Sequence, residues 1–247
     1  MKKAALLIML LLSILQHTLG RTIINPGNQQ DREKINIPER VRNLPLFITA
    51  SKIENKDAPV ALILSGDGGW RKFEQQIADK LSLQGIPTIG LDVKKYFWDR
   101  KTPDETTSDM VAAINYYMGE WKRSHLLLAG YSLGAEIVPF IASRMTEEMR
   151  SKVSMMVMLS PSPTTDFEVH VSDMVGVESK HNTLRVIDEI RKLHSVPSLC
   201  IFGLEEKTNV PALLEGTNVK VQKIPGDHHY NFDTTLIVAT IKRYVPF

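Results

Sequence analysis

The stretch that most restricts what this chain can become is Gly130-Tyr131-Ser132-Leu133-Gly134. A short apolar run, His125-Leu126-Leu127-Leu128-Ala129, precedes it, and a helical pattern, Ala135-Glu136-Ile137-Val138-Pro139-Phe140-Ile141, follows. A G-x-S-x-G between a buried run and a helix predicts a strand, a sharp turn and a helix in succession. The two glycines flank Ser132 because so tight a turn leaves little room for side chains. Such a turn holds the Ser132 hydroxyl at the end of the strand. It also aims the first amides of the helix at an oxyanion forming there. A serine in a strand–helix loop can equally be a plain N-cap, so the motif needs partners elsewhere in the chain.

The N-terminus bears on where such chemistry would occur. Met1-Lys2-Lys3 is basic, residues 4–15 are almost wholly apolar, and Gln16-His17-Thr18-Leu19-Gly20 is polar and ends on a small residue. This reads as a secretory signal over residues 1–20, its apolar stretch being short for a membrane span. With no cysteine near Gly20, a lipid anchor is not expected. Cys200, the single cysteine of the chain, has no partner for an internal disulfide and reads as a small core hydrophobe. The formal charge of the whole chain is +2. Lys2 and Lys3 account for it, so the chain past the signal carries no net charge. That argues against nucleic acid as a partner, since phosphate binding needs a basic face.

Residues 21–42 are polar and Pro/Gly-punctuated, and predict an exposed leader with little regular structure. From residue 43 to 247 the chain suits one α/β domain. An early edge strand is expected at Leu44–Ala50. Pro59–Leu64 is apolar without alternation, the mark of a strand covered on both faces, Val153–Leu159 reads as another buried strand, and Pro197–Phe202 as the strand after the insertion. Ile86–Asp92 and Val219–Ile224 complete the strand set. Between strands, Phe73, Ile77 and Leu81 recur at helical spacing. Thr102-Pro103-Asp104-Glu105 is a capping box with proline at the first helical position, ahead of Met110, Ala113, Ile114, Tyr117 and Trp121 on one face. A last helix is expected over Asp233–Tyr244. Strands alternating with helices predict a mostly parallel sheet with helices on both faces. Residues 164–194 break the rhythm and predict a cap insertion, with one helix over Thr183–Leu193.

Chemistry in open α/β sheets gathers at the carboxyl ends of strands. Besides Ser132, those ends carry Gly203-Leu204-Glu205-Glu206 and Gly226-Asp227-His228-His229-Tyr230. Serine, then acid, then histidine is the chain order of the α/β-hydrolase triad. A serine hydroxyl needs an imidazole to take its proton, and the imidazole needs a carboxylate to hold its tautomer. An offset of three residues past Gly203 selects Glu206, with Glu205 as the alternative. A similar offset and the aromatic that follows select His229, with His228 second. The histidine pair could instead belong to a metal site, but no second Cys/His cluster at ligand spacing supports one, and no cofactor is expected. The glycine-rich Ser65-Gly66-Asp67-Gly68-Gly69-Trp70 lacks the Lys-Ser/Thr of a phosphate loop. It reads better as half of an oxyanion hole, donating an N–H from Asp67 or Gly68 beside that of Leu133. Trp70 walls the pocket or caps the core, and Tyr131 joins the substrate-binding set.

Five stretches together resemble one family: Leu64–Trp70; Tyr96-Phe97-Trp98 with Thr102-Pro103; Gly130–Glu136; Asp166–Ser172; and Pro225–His229. They resemble the VirJ/AcvB family of bacterial virulence proteins, in the same motif order, over about residues 40–247. The resemblance implies an exported, periplasmic α/β-hydrolase-fold protein linked to virulence and type IV secretion. It also implies hydrolysis of an ester such as that of lysyl-phosphatidylglycerol, with Ser132 as nucleophile. The implied partners are an aminoacylated phospholipid or other ester substrate at the membrane surface, and secreted proteins or type IV secretion components. A non-catalytic accessory of secretion using the same fold is the alternative. The acid loop reads Glu-Glu-Lys where a more Asp-rich segment is expected, and Asp227 stands where a second glycine is commoner. With one such domain, the chain is similar to the short members. A lysyl substrate would need carboxylates, for which Glu136 and Asp92 are candidates. A helix-turn hydrogen bond for Glu136 and a loop cap for Asp92 are the plainer roles. His170 and Asp173 could line a lid.

Overall fold

The computed structural model of the protein describes residues 37–169 and 183–245. The signal expected over 1–20, the leader up to residue 36, and His170 and Asp173 lie outside the described residues. In chain order the strands are β1 (Leu46–Thr49), β2 (Val60–Leu64), β3 (Thr88–Leu91), β4 (Leu126–Tyr131), β5 (Val153–Leu159), β6 (Thr164–Thr165), β7 (Leu184–Arg185), β8 (Ser198–Gly203) and β9 (Val219–Ile224). The helices are α1 (Glu39–Arg42), α2 (Lys72–Ser82), α3 (Val93–Tyr96), α4 (Pro103–Glu120), α5 (Leu133–Arg144), α6 (Glu147–Arg150), α7 (Val186–Arg191), α8 (Val210–Leu213) and α9 (Thr234–Lys242). The single turn of α1 falls within the stretch expected to lack regular structure.

Seven strands form the central sheet in the order β1-β3-β2-β4-β5-β8-β9. Every pairing is parallel except that of the edge strand β1 with β3. The apolar runs lie where both faces are covered: β2, β3, β4 and β8 are buried along their whole length. Successive side chains of a strand point to opposite faces, so β2 feeds two cores. Val60, Leu62 and Leu64 pack with Met110 and Ile114 of α4 and Phe140 of α5. Ala61 and Ile63 pack with Phe73, Ile77 and Leu81 of α2 and Ile237 and Ile241 of α9. Full burial of one such leucine or isoleucine is worth about 1.5–3 kcal/mol. Cys200 lies in the first of these cores, unpaired and fully buried. Burial pushes its thiol well above the usual range, which leaves it unreactive.

The capping box of α4 forms as expected. The Glu105 N–H donates to Thr102 Oγ1 at 3.1 Å, and the Thr102 N–H donates to a Glu105 carboxylate oxygen at 2.9 Å. The expected insertion behaves differently in its described part. Residues 164–165 and 184–185 pair as a two-stranded ladder. The helix beyond it, α7, is shorter than expected and buries Val186, Ile187 and Ile190 in the core beside Phe140. Its apolar spacing is that of a core helix rather than of a cap over the strand ends.

Between β3 and β4, which flank β2 on either side, the chain reverses its direction of travel across the sheet. Ser132 therefore stands at the carboxyl end of β4, next to the loop leaving β2. A crevice opens at such a switch point because the following helices diverge to opposite faces.

Candidate active site

Ser132 occupies a backbone conformation of φ 50°, ψ −120°, between the last residue of β4 and the first of α5. Few non-glycine residues adopt positive φ, and those that do cluster at working sites. The flanking glycines are required by helix packing. A Cβ on Gly130 would sit 2.2 Å from the Gly134 carbonyl oxygen, and one on Gly134 would sit 2.4 Å from that of Leu64. The helix is thereby pressed onto β4 and β2, and the serine is left as the outward point of the turn.

A line of hydrogen bonds runs from that point. His228 Nε2 is 3.1 Å from Ser132 Oγ, and His228 Nδ1 is 2.8 Å from Glu206 Oε1. The imidazole facing the serine is thus His228, not the His229 selected from sequence. The reason lies in how two loops lie side by side. Gly203 ends β8 so close to the other loop that a Cβ there would fall 2.1 Å from the Asp227 carbonyl oxygen. The Leu204 N–H donates to the Ile224 carbonyl and the Glu205 N–H to the Gly226 carbonyl. These bonds set Glu206 opposite His228. Gly226 then turns the chain at φ 109°, and the Asp227 carboxylate accepts the His229 N–H at 2.8 Å. The His229 ring consequently goes the other way. It stacks on Phe232 at 5.5 Å and reaches the Tyr131 hydroxyl through Nδ1 at 2.6 Å. Glu205 is exposed to solvent.

Two side chains that sequence reasoning missed hold the acid. Ser160, at the end of β5, donates from Oγ to Glu206 Oε2 at 2.6 Å. The hydroxyl of Tyr230, a fully buried side chain, lies 2.6 Å from Ser160 Oγ and 2.8 Å from the Ile201 carbonyl oxygen. With the Gly203 N–H also on Oε2, Glu206 is fixed from behind and keeps Oε1 for His228. The aromatic after the histidines was the available signal. It marked a support for the acid, although it was read as a marker of the imidazole.

Ser132, His228 and His229 open onto a cavity of about 890 Å³. Gly66, Asp67 and Gly68 line it as expected, and Gly66 lies so near the nucleophile that a Cβ would be 3.5 Å from that of Ser132. The loop is shaped by a Gly69 N–H to Gly66 carbonyl bond of 3.0 Å and by Arg71 Nε donating to the Gly68 carbonyl at 2.9 Å. Leu133 opens α5, so its N–H is one of the first-turn amides without a partner inside the helix. Tyr131 lines the cavity, and burial, then the carboxylates of Glu74 and Asp67, push its phenol well above the usual range. It stays a neutral hydroxyl. Glu74, also missed from sequence, lines the cavity while its carboxylate accepts the Arg71 N–H, and burial raises its pKa. Arg71, Lys72, Phe73 and Phe232 complete most of the wall.

Three residues assigned to substrate binding lie elsewhere. Trp70 is not among the residues lining this cavity. It lies over Gly90 of β3, stacks on Phe47 at 5.5 Å and donates from its indole to Gln75 at 2.9 Å. Asp92 caps α3 by accepting the Lys95 N–H at 3.0 Å. Glu136 points away from the cavity into the protein, where it accepts the Ser162 N–H at 3.2 Å. Asp92 has the loop-cap role expected of it, whereas Glu136 is structural through a bond to a residue 26 positions on rather than through a helix-turn hydrogen bond.

Burial raises the Glu136 carboxyl from 4.5 to about 7. The folded chain therefore binds that proton more tightly than the unfolded chain. The stability from this group is complete below about pH 4.5 and is lost as pH rises through 7. Glu136→Gln keeps an acceptor for Ser162 and removes the ionisation. Urea unfolding is expected to show the variant gaining on wild type between pH 5 and pH 8, by up to about 3 kcal/mol. An equal difference at both pH values would contradict this account.

A mostly parallel seven-stranded sheet covered on both faces, with serine, acid and histidine presented from the carboxyl ends of β4, β8 and β9, defines the α/β-hydrolase fold. Solved structures agree on this architecture. Est1E from Butyrivibrio proteoclasticus superposes with a TM-score of 0.60 at 16% identity, covering 81% of this chain and 91% of that one. Dienelactone hydrolase from Anabaena variabilis gives 0.55 at 16% identity, covering 78% and 87%. Proline iminopeptidase from Mycobacterium smegmatis gives 0.58 at 14% identity, covering 81% and 93%. No curated protein matches the chain. The model of the family described as bacterial virulence protein (VirJ) matches residues 58–244, and the chain belongs to that family.

Proposed function

We propose that the protein is a serine ester hydrolase in which Ser132, His228 and Glu206 form the triad. The observation that carries this is the unbroken line from Ser132 Oγ through both nitrogens of His228 to Glu206, at 3.1 and 2.8 Å. A general base must lie within about 2.6–3.2 Å of the proton it takes. In the reaction, His228 Nε2 accepts the Ser132 proton as Oγ bonds to the ester carbonyl carbon. The carbonyl oxygen takes the negative charge and receives N–H donors from Leu133 and from Asp67 or Gly68, each worth about 10²–10³ in rate. The tetrahedral species collapses, the ester C–O bond breaks, and the imidazolium returns its proton to the leaving alcohol. Water, deprotonated by His228, then attacks the acyl carbon, the bond to Ser132 Oγ breaks, the imidazolium returns its proton to Oγ, and the acid leaves. Glu206 holds the Nδ1 proton in place and offsets the imidazolium charge.

The substrate we favour is an aminoacyl-phosphatidylglycerol, with lysyl-phosphatidylglycerol as the type. Family membership supports this reading, and so does the composition of the cavity. Asp67 and Glu74 supply acidic groups for lysyl amines, Arg71 and Lys72 supply cations for a lipid phosphate, and Phe73 and Phe232 supply apolar wall. Export to the periplasm on a cleaved signal, and a role alongside type IV secretion, belong to the same proposal. Incubation with vesicles containing lysyl-phosphatidylglycerol is expected to release free lysine, and a fluorophosphonate probe is expected to label Ser132. A folded protein that neither releases lysine nor takes the label would be better described as an accessory that binds secreted proteins.

A further inference from the structure

Beside the cavity the chain runs Lys94-Lys95-Tyr96-Phe97-Trp98-Asp99-Arg100-Lys101, four basic residues against one acidic. Its middle is anchored. Phe97 is fully buried against Phe167, and the buried Tyr96 donates its hydroxyl to Asp109 at 2.5 Å. Its next residue is not: Trp98 is 59% exposed, and Lys95, Asp99 and Arg100 also face solvent. Phe47, 36% exposed on the edge strand β1, lies under the Lys95 ammonium at 5.9 Å. Trp98, Phe47 and Trp70 line a groove of about 640 Å³ together with Lys94, Lys95 and Arg71. Two carboxylates also face it. Asp92 is engaged as the cap of α3 and lies 3.7 Å from the Lys95 ammonium, and Asp99 stands at the rim. The groove and the catalytic cavity share Gly68, Gly69 and Arg71.

We propose that this basic, aromatic face docks on an anionic phospholipid bilayer and so sets the mouth of the catalytic cavity against the lipid headgroups. A lone exposed tryptophan calls for no explanation. Here the exposed indole belongs to a segment anchored by Tyr96 and Phe97 and shares its groove with Lys94, Lys95 and Arg71. That is the combination that favours the headgroup layer: an amphipathic ring at the boundary and lysines or arginines drawn to negative lipid. The shared glycine loop gives the docking its use, since a bilayer seated on the groove lies beside Ser132. The inference rests on the lipid-substrate reading for its purpose, whereas its evidence is the surface itself.

The test uses the full chain with vesicles of phosphatidylglycerol or of phosphatidylcholine, some carrying brominated acyl chains, and follows tryptophan emission. Phosphatidylglycerol vesicles are expected to shift emission to the blue and the bromines to quench it. Trp98→Phe should remove that response, and phosphatidylcholine should give none. The double variant Lys94→Glu, Lys95→Glu should need at least tenfold more lipid for half the response, and rising salt should mimic it. Both variants should hydrolyse a soluble short-chain ester at the wild-type rate. Wild-type emission indifferent to phosphatidylglycerol, an unchanged response in the double variant, or capture of a protein partner by this face without any vesicle response would each overturn the proposal. Normal quenching with no ester turnover by the wild type would support docking while removing the chemistry.

Discussion

Ser132→Ala is expected to leave the protein folded and to lower ester turnover by about 10⁴–10⁶-fold, equivalent to roughly 5–8 kcal/mol of transition-state stabilisation. The substitution removes one oxygen. The close approaches that shape the turn belong to Gly130 and Gly134, where added Cβ atoms would meet backbone at 2.2 and 2.4 Å. Alanine needs no more room than serine at φ 50°, so the turn itself is unaffected. What disappears is the atom that His228 Nε2 faces at 3.1 Å. Residual turnover would come from the backbone amides and from binding alone. Hydrolysis of a short-chain nitrophenyl ester, with a thermal melt as the control for folding, checks this. Turnover within tenfold of wild type would rule out a covalent acyl-serine.

The second large effect separates two adjacent residues. His228→Ala should reduce the same rate by a comparable factor, about 10⁴-fold or more, whereas His229→Ala should cost less than about tenfold. Both rings open onto the cavity, and only one has a nitrogen on the nucleophile and the other nitrogen on a carboxylate. His229 is committed to Tyr131 and Phe232. Added imidazole should restore part of the His228→Ala activity, because the vacated space lies between two intact partners. A larger loss in His229→Ala than in His228→Ala would reverse the assignment.

The fold was largely legible because its signals are local. β2 shows an unbroken apolar run since both faces of a parallel strand are covered, and α4 announces its start with Thr102-Pro103 and Glu105. The site was legible to the level of the loop. Ser132 was identifiable because strand, glycine pair and helix are contiguous. Glu206 could be preferred to Glu205 on an offset. His228 could not be separated from His229, since adjacent residues in a turn point different ways and their direction depends on which loop lies alongside. The same limit applies to Trp70, where a place after a glycine-rich loop suggests a pocket wall. Its ring instead lies over Gly90, a residue distant in sequence that leaves room for it. A helix over Thr183–Leu193 was expected from the sequence, but not that it packs on α5.

From the order of residues alone came the alternation of strand and helix, the serine at a sharp turn and the acid and histidine loops that follow it, because each depends on neighbours along the chain. Tertiary structure alone decided which imidazole meets the serine, that Ser160 and Tyr230 brace the acid, and that Glu136 bonds to Ser162. Those outcomes depend on backbone segments from distant parts of the chain meeting within a few ångströms. A contact of that kind has no signature in either segment taken by itself.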